Sequence, residues 1–324
     1  MGFKSIIAGC LAVSLFLSGC GSNETGIPDE PGDLLEYVDP FIGTGFHGHT
    51  FPGPVLPYGM MQLSPDTKLN GWDASSGYHY DDSTIFGFSH THLSGTGIGD
   101  MGDILMLPFT GENEQKPVAL FNKTGEESHV GYYSVSFDNY DVRAELTATP
   151  RVGFHRYKFG PSEKKRVLLD IGHILQRTWG HDNVYNEIEI IDQKHIRGVK
   201  HSTGWAFDHR VYFYAEFSSP FTLDEVISDA QATGSDPIYK GNSVYAYLSF
   251  KELSDTEPLL IKVSISPVDV EGARNNMLVE LPGWDFEEAQ REAEDAWRKA
   301  LSKIRVYSND KGKSHSSILP FTIP

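Results

Sequence analysis

Cysteine is almost absent from this chain: its 324 residues include only Cys10 and Cys20, both near the N-terminus. With so few thiols, the rest of the chain has no disulfide framework, no thiolate metal site and no cysteine nucleophile. A long apolar run is lacking as well. The uncharged stretch at residues 6–17 is too short to cross a bilayer core of ~30 Å as a helix.

Positive charge is also scarce, since 27 Lys and Arg face 44 Asp and Glu, for a net charge of −17. This acidic balance argues against nucleic acid and anionic lipid as partners. Lys and Arg are absent from residues 71–102, a segment that instead combines Trp, Tyr, His, Asp and several glycines. The mixture is typical of a pocket for polyols, in which a ring lies against a sugar and short polar groups bind its hydroxyls.

The N-terminus has the pattern of an export signal. Lys4 and the apolar run are followed by Leu17-Ser18-Gly19-Cys20, and small residues before a cysteine resemble the lipobox of bacterial lipoproteins. We therefore expect a signal peptide at residues 1–19, lipid on Cys20 and a Gly/Pro-rich tether over residues 20–33. Membrane attachment through Cys20 would place the protein at the cell envelope, in the outer membrane or periplasm. The alternative is an ordinary signal peptide with an incidental cysteine.

Short alternating segments with turn residues between them dominate residues 34–280. Many strands at regular spacing without a helical period predict an all-β fold, a large antiparallel β-sandwich. The expected strands include residues 103–108, 132–137, 142–149, 152–157, 166–171, 186–191, 195–199, 210–217, 243–250 and 259–266.

The period changes to that of a helix after residue 282. Asp285 with Glu288 three positions later forms a capping-box-like start, and apolar residues from Phe286 to Ile304 follow at helical spacing. We expect a C-terminal α-helical linker over residues 281–306, then a divergent tail at 307–324. The apolar stripe would cause weak self-association unless it packs on the sandwich.

The polyol segment supplies the candidate site residues. Trp72, beside Asp73 in a turn, is expected to present its ring to a sugar. Period two places Phe88, His90 and His92 on one face, where the imidazoles bind a metal, or bond to hydroxyls or to a carboxylate. The glycines at 97, 99 and 102 match a dinucleotide fingerprint only formally, because a strand follows them. They are expected to bend the chain near Asp100, which either frames a ligand or caps a turn.

Carboxylates for glycosidase chemistry are harder to find in this segment. Asp73, Asp81 and Asp82 lie among glycines and polar groups, and no Glu occurs between Glu36 and Glu112. Because a general acid needs an apolar site that keeps it protonated, we predict no catalytic residue here.

The chain resembles glycoside hydrolase family 92, the calcium-dependent α-mannosidases common in gut Bacteroidetes. The resemblance covers residues 36–306 and is most specific at 71–103. It is carried by YVDPFIGTG at 37–45, TFPGP at 50–54, PYGM at 57–60, the 71–103 block, ELTAT at 145–149, Arg151, Gly153, His155, PGWDF at 282–286 and Trp297.

The resemblance implies an N-terminal β-sandwich joined by a helical linker to an (α/α)6 barrel, with the active site between them. It implies inversion at the anomeric carbon and a Ca²⁺ ion on the mannose 2- and 3-hydroxyls. The acid, the base and the calcium ligands would belong to a barrel that we expect this chain to lack. Trp72 would serve the sugar subsites, and the 90–100 segment, with His90, His92, Ser94 and Asp100, would line the same mouth.

Three functions remain open at this point. The first is the sugar-binding sandwich of an inverting exo-α-mannosidase, α-1,2-mannosidase-like, which acts on mannose-containing glycans and N-glycans and is inactive without its barrel. The second is a non-catalytic carbohydrate-binding surface lipoprotein. The third is a metal-dependent β-sandwich enzyme built on His90 and His92.

Overall fold

The computed structural model describes residues 32–113, 115–229 and 237–305. The expected signal peptide, the lipidation at Cys20, nearly all of the tether and the 307–324 tail lie outside the described residues. Within them, no helix is both long and apolar enough to cross a membrane.

Strands make up most of the described chain, and the two α-helices lie near its C-terminal end. The strands are β1 (Ser64–Asp66), β2 (Thr84–Ile85), β3 (Gly87–Ser89), β4 (Leu105–Thr110), β5 (Ala119–His129), β6 (Tyr132–Phe137), β7 (Val142–Ala148), β8 (Val152–Phe159), β9 (Lys165–Asp170), β10 (Asp182–Ile190), β11 (His195–Thr203), β12 (His209–Phe217), β13 (Thr222–Ser228), β14 (Ile238–Gly241), β15 (Val244–Ser249) and β16 (Leu259–Ser266); the helices are α1 (Val270–Glu280) and α2 (Phe286–Leu301).

The strands form two antiparallel sheets. One has the order β1-β3-β4-β9-β15-β13, and the other the order β14-β10-β11-β12-β16-β8-β7-β6-β5-β2. Both sheets contribute to one apolar core. The predicted all-β sandwich is therefore confirmed.

Alternation along each strand explains the core. On β12 the side chains of Val211, Phe213, Ala215 and Phe217 are buried, while those between them are partly exposed. Burial of one such large apolar side chain stabilises the fold by ~1.5–3 kcal/mol. The sequence did not indicate β1 or β2, which are only three and two residues long. It also did not indicate β5, β13 or β14, whose partly exposed residues give a weaker alternation.

Helix α2 begins where the capping pattern predicts, because Asp285 accepts a hydrogen bond from the backbone N–H of Glu288 at 2.8 Å. Its apolar stripe packs on the sandwich, where Trp297 is buried and donates its indole N–H to the Val55 carbonyl at 2.6 Å. Of the stripe's large apolar side chains, only Ile304 is exposed. Self-association was expected only if the apolar stripe of this helix did not pack on the sandwich, and that condition is not met.

Helix α1 was not predicted. Asp269 caps it by accepting from the N–H of Gly272 at 2.6 Å, and only Ala273 and Met277 are buried. Two buried positions do not make an apolar stripe, so the helical period is not visible in the sequence.

Candidate functional site

Four connections meet at one end of the sandwich: residues 67–83, 90–104, 171–181 and 204–208, which join β1 to β2, β3 to β4, β9 to β10 and β11 to β12. The Gln176 side chain accepts from the Gly71 N–H at 3.0 Å and donates to the Gly71 carbonyl at 2.8 Å. Asp100 accepts from the Trp205 N–H at 2.8 Å. These bonds bind the connections into one surface, called here the loop end.

Trp72 begins a 3₁₀ turn at the loop end and is 50% exposed. Its ring centroid lies 4.5 Å from that of His49 and 4.8 Å from that of His47. A side chain at Gly97, whose φ is +64°, would place its Cβ 3.1 Å from the indole nitrogen. The ring is therefore held from one side and accessible from another, as predicted for a loop Trp, and its contact with a sugar stays a prediction.

Asp73 lies beside this ring and forms an ion pair with His47 Nδ1. The hydrogen bond from His47 is the main cause that lowers the Asp73 pKa. Both side chains are about two-fifths exposed, at 43% and 41%. The pair can therefore offer a ligand a donor and an acceptor next to an aromatic face. His47 was missed because it comes from the 43–50 segment, far from Trp72 in the sequence.

His49 packs edge to face against the Trp72 ring. It is buried, its φ is +56°, and its Nε2 is a buried atom without a hydrogen-bond partner among the described residues. Burial lowers the pKa of His49, and the charge of Asp73 opposes that effect. His49 was also not predicted.

His92 does not reach the surface. It is fully buried, with Nδ1 2.7 Å from the Gln62 carbonyl and Nε2 2.8 Å from Oδ1 of Asp66. His173 Nε2 lies 2.8 Å from the other Asp66 oxygen. Burial acts to raise the Asp66 pKa, but the two imidazoles outweigh it and hold that pKa well below its usual range. Gly77 is required here, because a Cβ would lie 2.1 Å from Oδ1 of Asp66.

His90 is equally buried, and its hydrogen bonds determine which of its two ring nitrogens carries the proton. Nδ1 lies 2.5 Å from the Ile104 carbonyl and must donate to it, so Nε2 accepts from Nε2 of His155 at 2.9 Å. His155 Nδ1 in turn accepts from the Tyr157 hydroxyl at 2.8 Å. Burial lowers the pKa of His90 to about 4 and that of His155 well below its usual value. Both rings are therefore neutral near neutral pH.

This burial corrects the expectation that His90 and His92 line the mouth of a pocket. Phe88 is buried as well, and its ring lies 6.5 Å from that of His155, the hydrogen-bond partner of His90. Of the open alternatives, His92 shows the hydrogen bond to a carboxylate.

A metal site is not formed by the described residues: no group of three or more His, Cys, Asp or Glu among them could hold an ion. Calcium takes six to eight oxygen ligands. The calcium ion that the family resemblance implies stays a prediction, and we assign it no role here.

Asp100 holds the loop end together. Its Oδ1 accepts from the Met101 N–H at 2.8 Å and lies 3.2 Å from Nε2 of His181. With only 6% of its surface exposed, it caps turns, which was one of the two alternatives. Ser94 lines a different space, a cavity of ~60 Å³ that it shares with Val55 and Trp297.

Asp103 is the centre of a second buried network. It accepts from the Thr91 hydroxyl at 2.6 Å and from His209 at 2.8 Å, and Lys200 Nζ lies 3.0 Å away. Burial acts to raise the Asp103 pKa, but the charge of Lys200, together with the hydrogen bonds from His209 and Thr91, outweighs it, so the pKa is lowered strongly. Burial opposes charge on His209 as well, yet the Asp103 carboxylate raises the His209 pKa.

Three further exposed aromatic residues surround the loop end. Trp179, Trp205 and Phe207 are 45%, 62% and 91% exposed, so three of the five Trp residues of the chain lie here. The sequence does carry a signal for two of them. Gly204-Trp205-Ala206-Phe207-Asp208 places aromatics in a turn, as Gly71-Trp72-Asp73 does.

Comparison with family models gives two matches. The glycosyl hydrolase family 92 N-terminal domain matches residues 37–266, and the glycosyl hydrolase family 92 catalytic domain matches residues 272–318. The second match extends past residue 306, where the resemblance was expected to end, and it includes all of α2 and all but the first two residues of α1.

Individual relatives agree with this assignment. A family GH92 α-mannosidase from Bacteroides thetaiotaomicron is 33% identical, with a TM-score of 0.83, and the match covers 90% of this chain and 40% of that one. A second enzyme of that organism, described as an inverting GH92 mannosidase, is 23% identical, with a TM-score of 0.75 over 88% of this chain and 38% of that one, and shows the fold alone.

A curated relative from Arthroderma benhamiae, described as an uncharacterized secreted glycosidase, is 27% identical over 310 residues, or 86% of this chain and 39% of its own. The chain thus spans about 40% of the length of the relatives it matches.

Proposed function

Because the chain belongs to glycosyl hydrolase family 92, we propose that its loop end binds mannose-containing glycans. We further propose that it is the sugar-binding sandwich of an inverting, exo-acting α-mannosidase of α-1,2-mannosidase type. The observation that carries the proposal is the half-exposed Trp72 ring with the Asp73–His47 pair beside it. A flat apolar face next to a carboxylate and an imidazole complements a hexose, which has an apolar ring face and vicinal hydroxyls.

Binding without hydrolysis is the activity we propose for this chain on its own. A glycosidase needs one carboxyl group that is protonated near neutral pH. Asp66, Asp73 and Asp103 all have lowered pKa values, so each is an anion and cannot donate a proton. The same observation supports the second candidate, a non-catalytic carbohydrate-binding protein, for which anchoring at the envelope through Cys20 stays a prediction.

A titration tests the proposal. Methyl α-mannopyranoside is added to the purified chain, to the variant Trp72→Ala and to Tyr58→Ala, which removes an exposed ring that does not belong to the four connections. We expect saturable binding that Trp72→Ala abolishes and Tyr58→Ala leaves unchanged. Equal binding by all three proteins contradicts the assignment of Trp72.

Hydrolysis is assayed separately with an aryl α-mannoside. No turnover is expected from the chain alone. Turnover that survives Trp72→Ala would place catalysis elsewhere, whereas turnover lost in that variant would show that the loop end is catalytic.

A further inference from the structure

The connection between β11 and β12 presents the most exposed aromatic side chains of the loop end. Trp205 and Phe207 are 62% and 91% exposed, and they occupy a five-residue turn whose Gly204 N–H donates to the Ala206 carbonyl at 2.9 Å. An aromatic residue at 91% exposure contributes almost nothing to the core. Its position therefore calls for an explanation outside folding.

Polar groups accompany these rings in the arrangement already seen at Trp72. Asp208, next to Phe207, accepts from Nε of Arg210 at 2.8 Å and from its terminal nitrogen at 3.3 Å, and His201 lies 2.9 Å away. Asp208 and Arg210 are 60% and 50% exposed. The charges of Asp208 and Arg210 compensate each other. The turn therefore offers hydrogen-bond donors and acceptors to the hydroxyls of a sugar, without the excess positive charge that would bind a phosphate.

The turn is tied to the same loop that supports Trp72. Asp100 accepts from the Trp205 N–H, and a Cβ on Gly204 would lie 2.7 Å from Oδ1 of Asp100. Gly97, against which Trp72 rests, is three residues before Asp100. Since an extended residue spans at most ~3.6 Å, the two supports lie within about 11 Å of each other. The turns that carry Trp72 and Trp205 are therefore supported by one short segment of the 90–104 connection.

Space for a ligand adjoins the turn. A cavity of ~290 Å³ is lined by Thr91, Met101, His209 and Arg210, among others. Arg210 belongs both to this cavity and to the ion pair beside Phe207. The cavity therefore combines polar groups with an apolar wall that includes Met60, Val211 and Ile265, and it lies next to the turn that carries Phe207.

We propose that Trp205 and Phe207 form a second sugar subsite, which binds the residue of a glycan adjacent to the mannose held at Trp72. The inference rests on the proposed function for the identity of the first sugar. It assigns to the 204–208 turn a preference for oligosaccharides over monosaccharides.

The experiment follows the indole N–H signals of the ¹⁵N-labelled chain during titration with methyl α-mannopyranoside, α-1,2-mannobiose and the corresponding mannotriose. The monosaccharide is expected to shift the Trp72 signal alone, and the longer sugars to shift Trp72 and Trp205 together. The double variant Trp205→Ala/Phe207→Ala should bind the trisaccharide ~10-fold more weakly and the monosaccharide as before. Ile191→Ala removes an exposed apolar side chain at the opposite end of β11 and is the control.

The outcomes separate the two proposals. If no sugar shifts Trp72 but an oligosaccharide shifts Trp205, the 204–208 turn binds sugar independently of Trp72, and the proposed function fails together with the adjacency of the two subsites. If the trisaccharide binds the double variant as tightly as the parent chain, the second subsite is refuted, whatever happens at Trp72. Concentration-dependent dimerisation that the double variant abolishes would also overturn it, since the rings would then serve a second copy of the chain.

Discussion

Nε2 of His155 donates a hydrogen bond to Nε2 of His90 across 2.9 Å, in the core beneath the loop end. Tyr157 on one side and the Ile104 carbonyl on the other complete the chain of bonds. These donor and acceptor roles exist only while both imidazoles are neutral, because protonation of a ring would turn its acceptor nitrogen into a donor.

Stability should therefore fall on acidification. The folded pKa values of His90 and His155 are lowered, and the unfolded value is about 6.5. Below that pH the unfolded chain binds protons that the folded chain does not, so stability is lost between about pH 6.5 and 4. Each ring contributes up to ~1.4 kcal/mol per pH unit. Urea unfolding at pH 7.5, 6.5, 5.5 and 4.5 measures the slope.

Other histidines also change the slope of stability against pH, and their contributions differ in sign. His49 and His181 also have lowered pKa values and add to the loss. His209 has a raised pKa, so its contribution is complete below pH 6.5 and declines only as the pH rises. The variant His155→Gln keeps a polar side chain but no titration, and it should show a shallower slope. An identical slope in this variant would contradict the assignment.

Asp66→Asn should destabilise the fold by ~1.5–3 kcal/mol, because it removes the charge that accepts from both His92 and His173. The matched control is Asp81→Asn, whose parent side chain is 82% exposed and whose effect should be within ~0.5 kcal/mol. Equilibrium denaturation compares the two. Equal effects would mean that Asp66 does not organise the network.

Gly97→Ala and Gly95→Ala form a pair that separates backbone strain from contact with Trp72. Both glycines have left-handed φ values, +64° and +70°, so each alanine should cost ~1–2 kcal/mol. At Gly97 the new methyl would also press on Trp72 and His49, whereas nothing lies within 4 Å at Gly95. We expect both variants to melt lower and only Gly97→Ala to lose binding of methyl α-mannopyranoside. Equal binding by the two variants would argue against the role of Trp72.

Trp297→Ala tests the packing of α2 on the sandwich. The ring is buried and bonded to the Val55 carbonyl, so its loss should cost ~3–5 kcal/mol. Lys303→Ala, on the exposed side of the same helix end, should be nearly neutral. Sedimentation of the parent chain should show a monomer. A dimer that Trp297→Ala disrupts would instead restore the self-association expected from the sequence.

Much of the architecture could be read from local pattern. Strand alternation depends on the two-residue period of a pleated backbone, and the start of α2 depends on one capping side chain at Asp285. Both are properties of neighbours in sequence. They therefore remain visible without the fold, as does the loop position of Trp72. For α1 the local signal was absent, and it was missed.

The sequence by itself predicted a common face for His90 and His92 and a turn that carries Trp72 beside Asp73. Only the tertiary structure decided that this face is turned inward, onto Asp66 and His155. It also brought His47, Trp205 and Phe207 to one end of the sandwich. The reason is physical: a two-residue period groups side chains on a face, but the packing of one sheet on the other selects which face is buried.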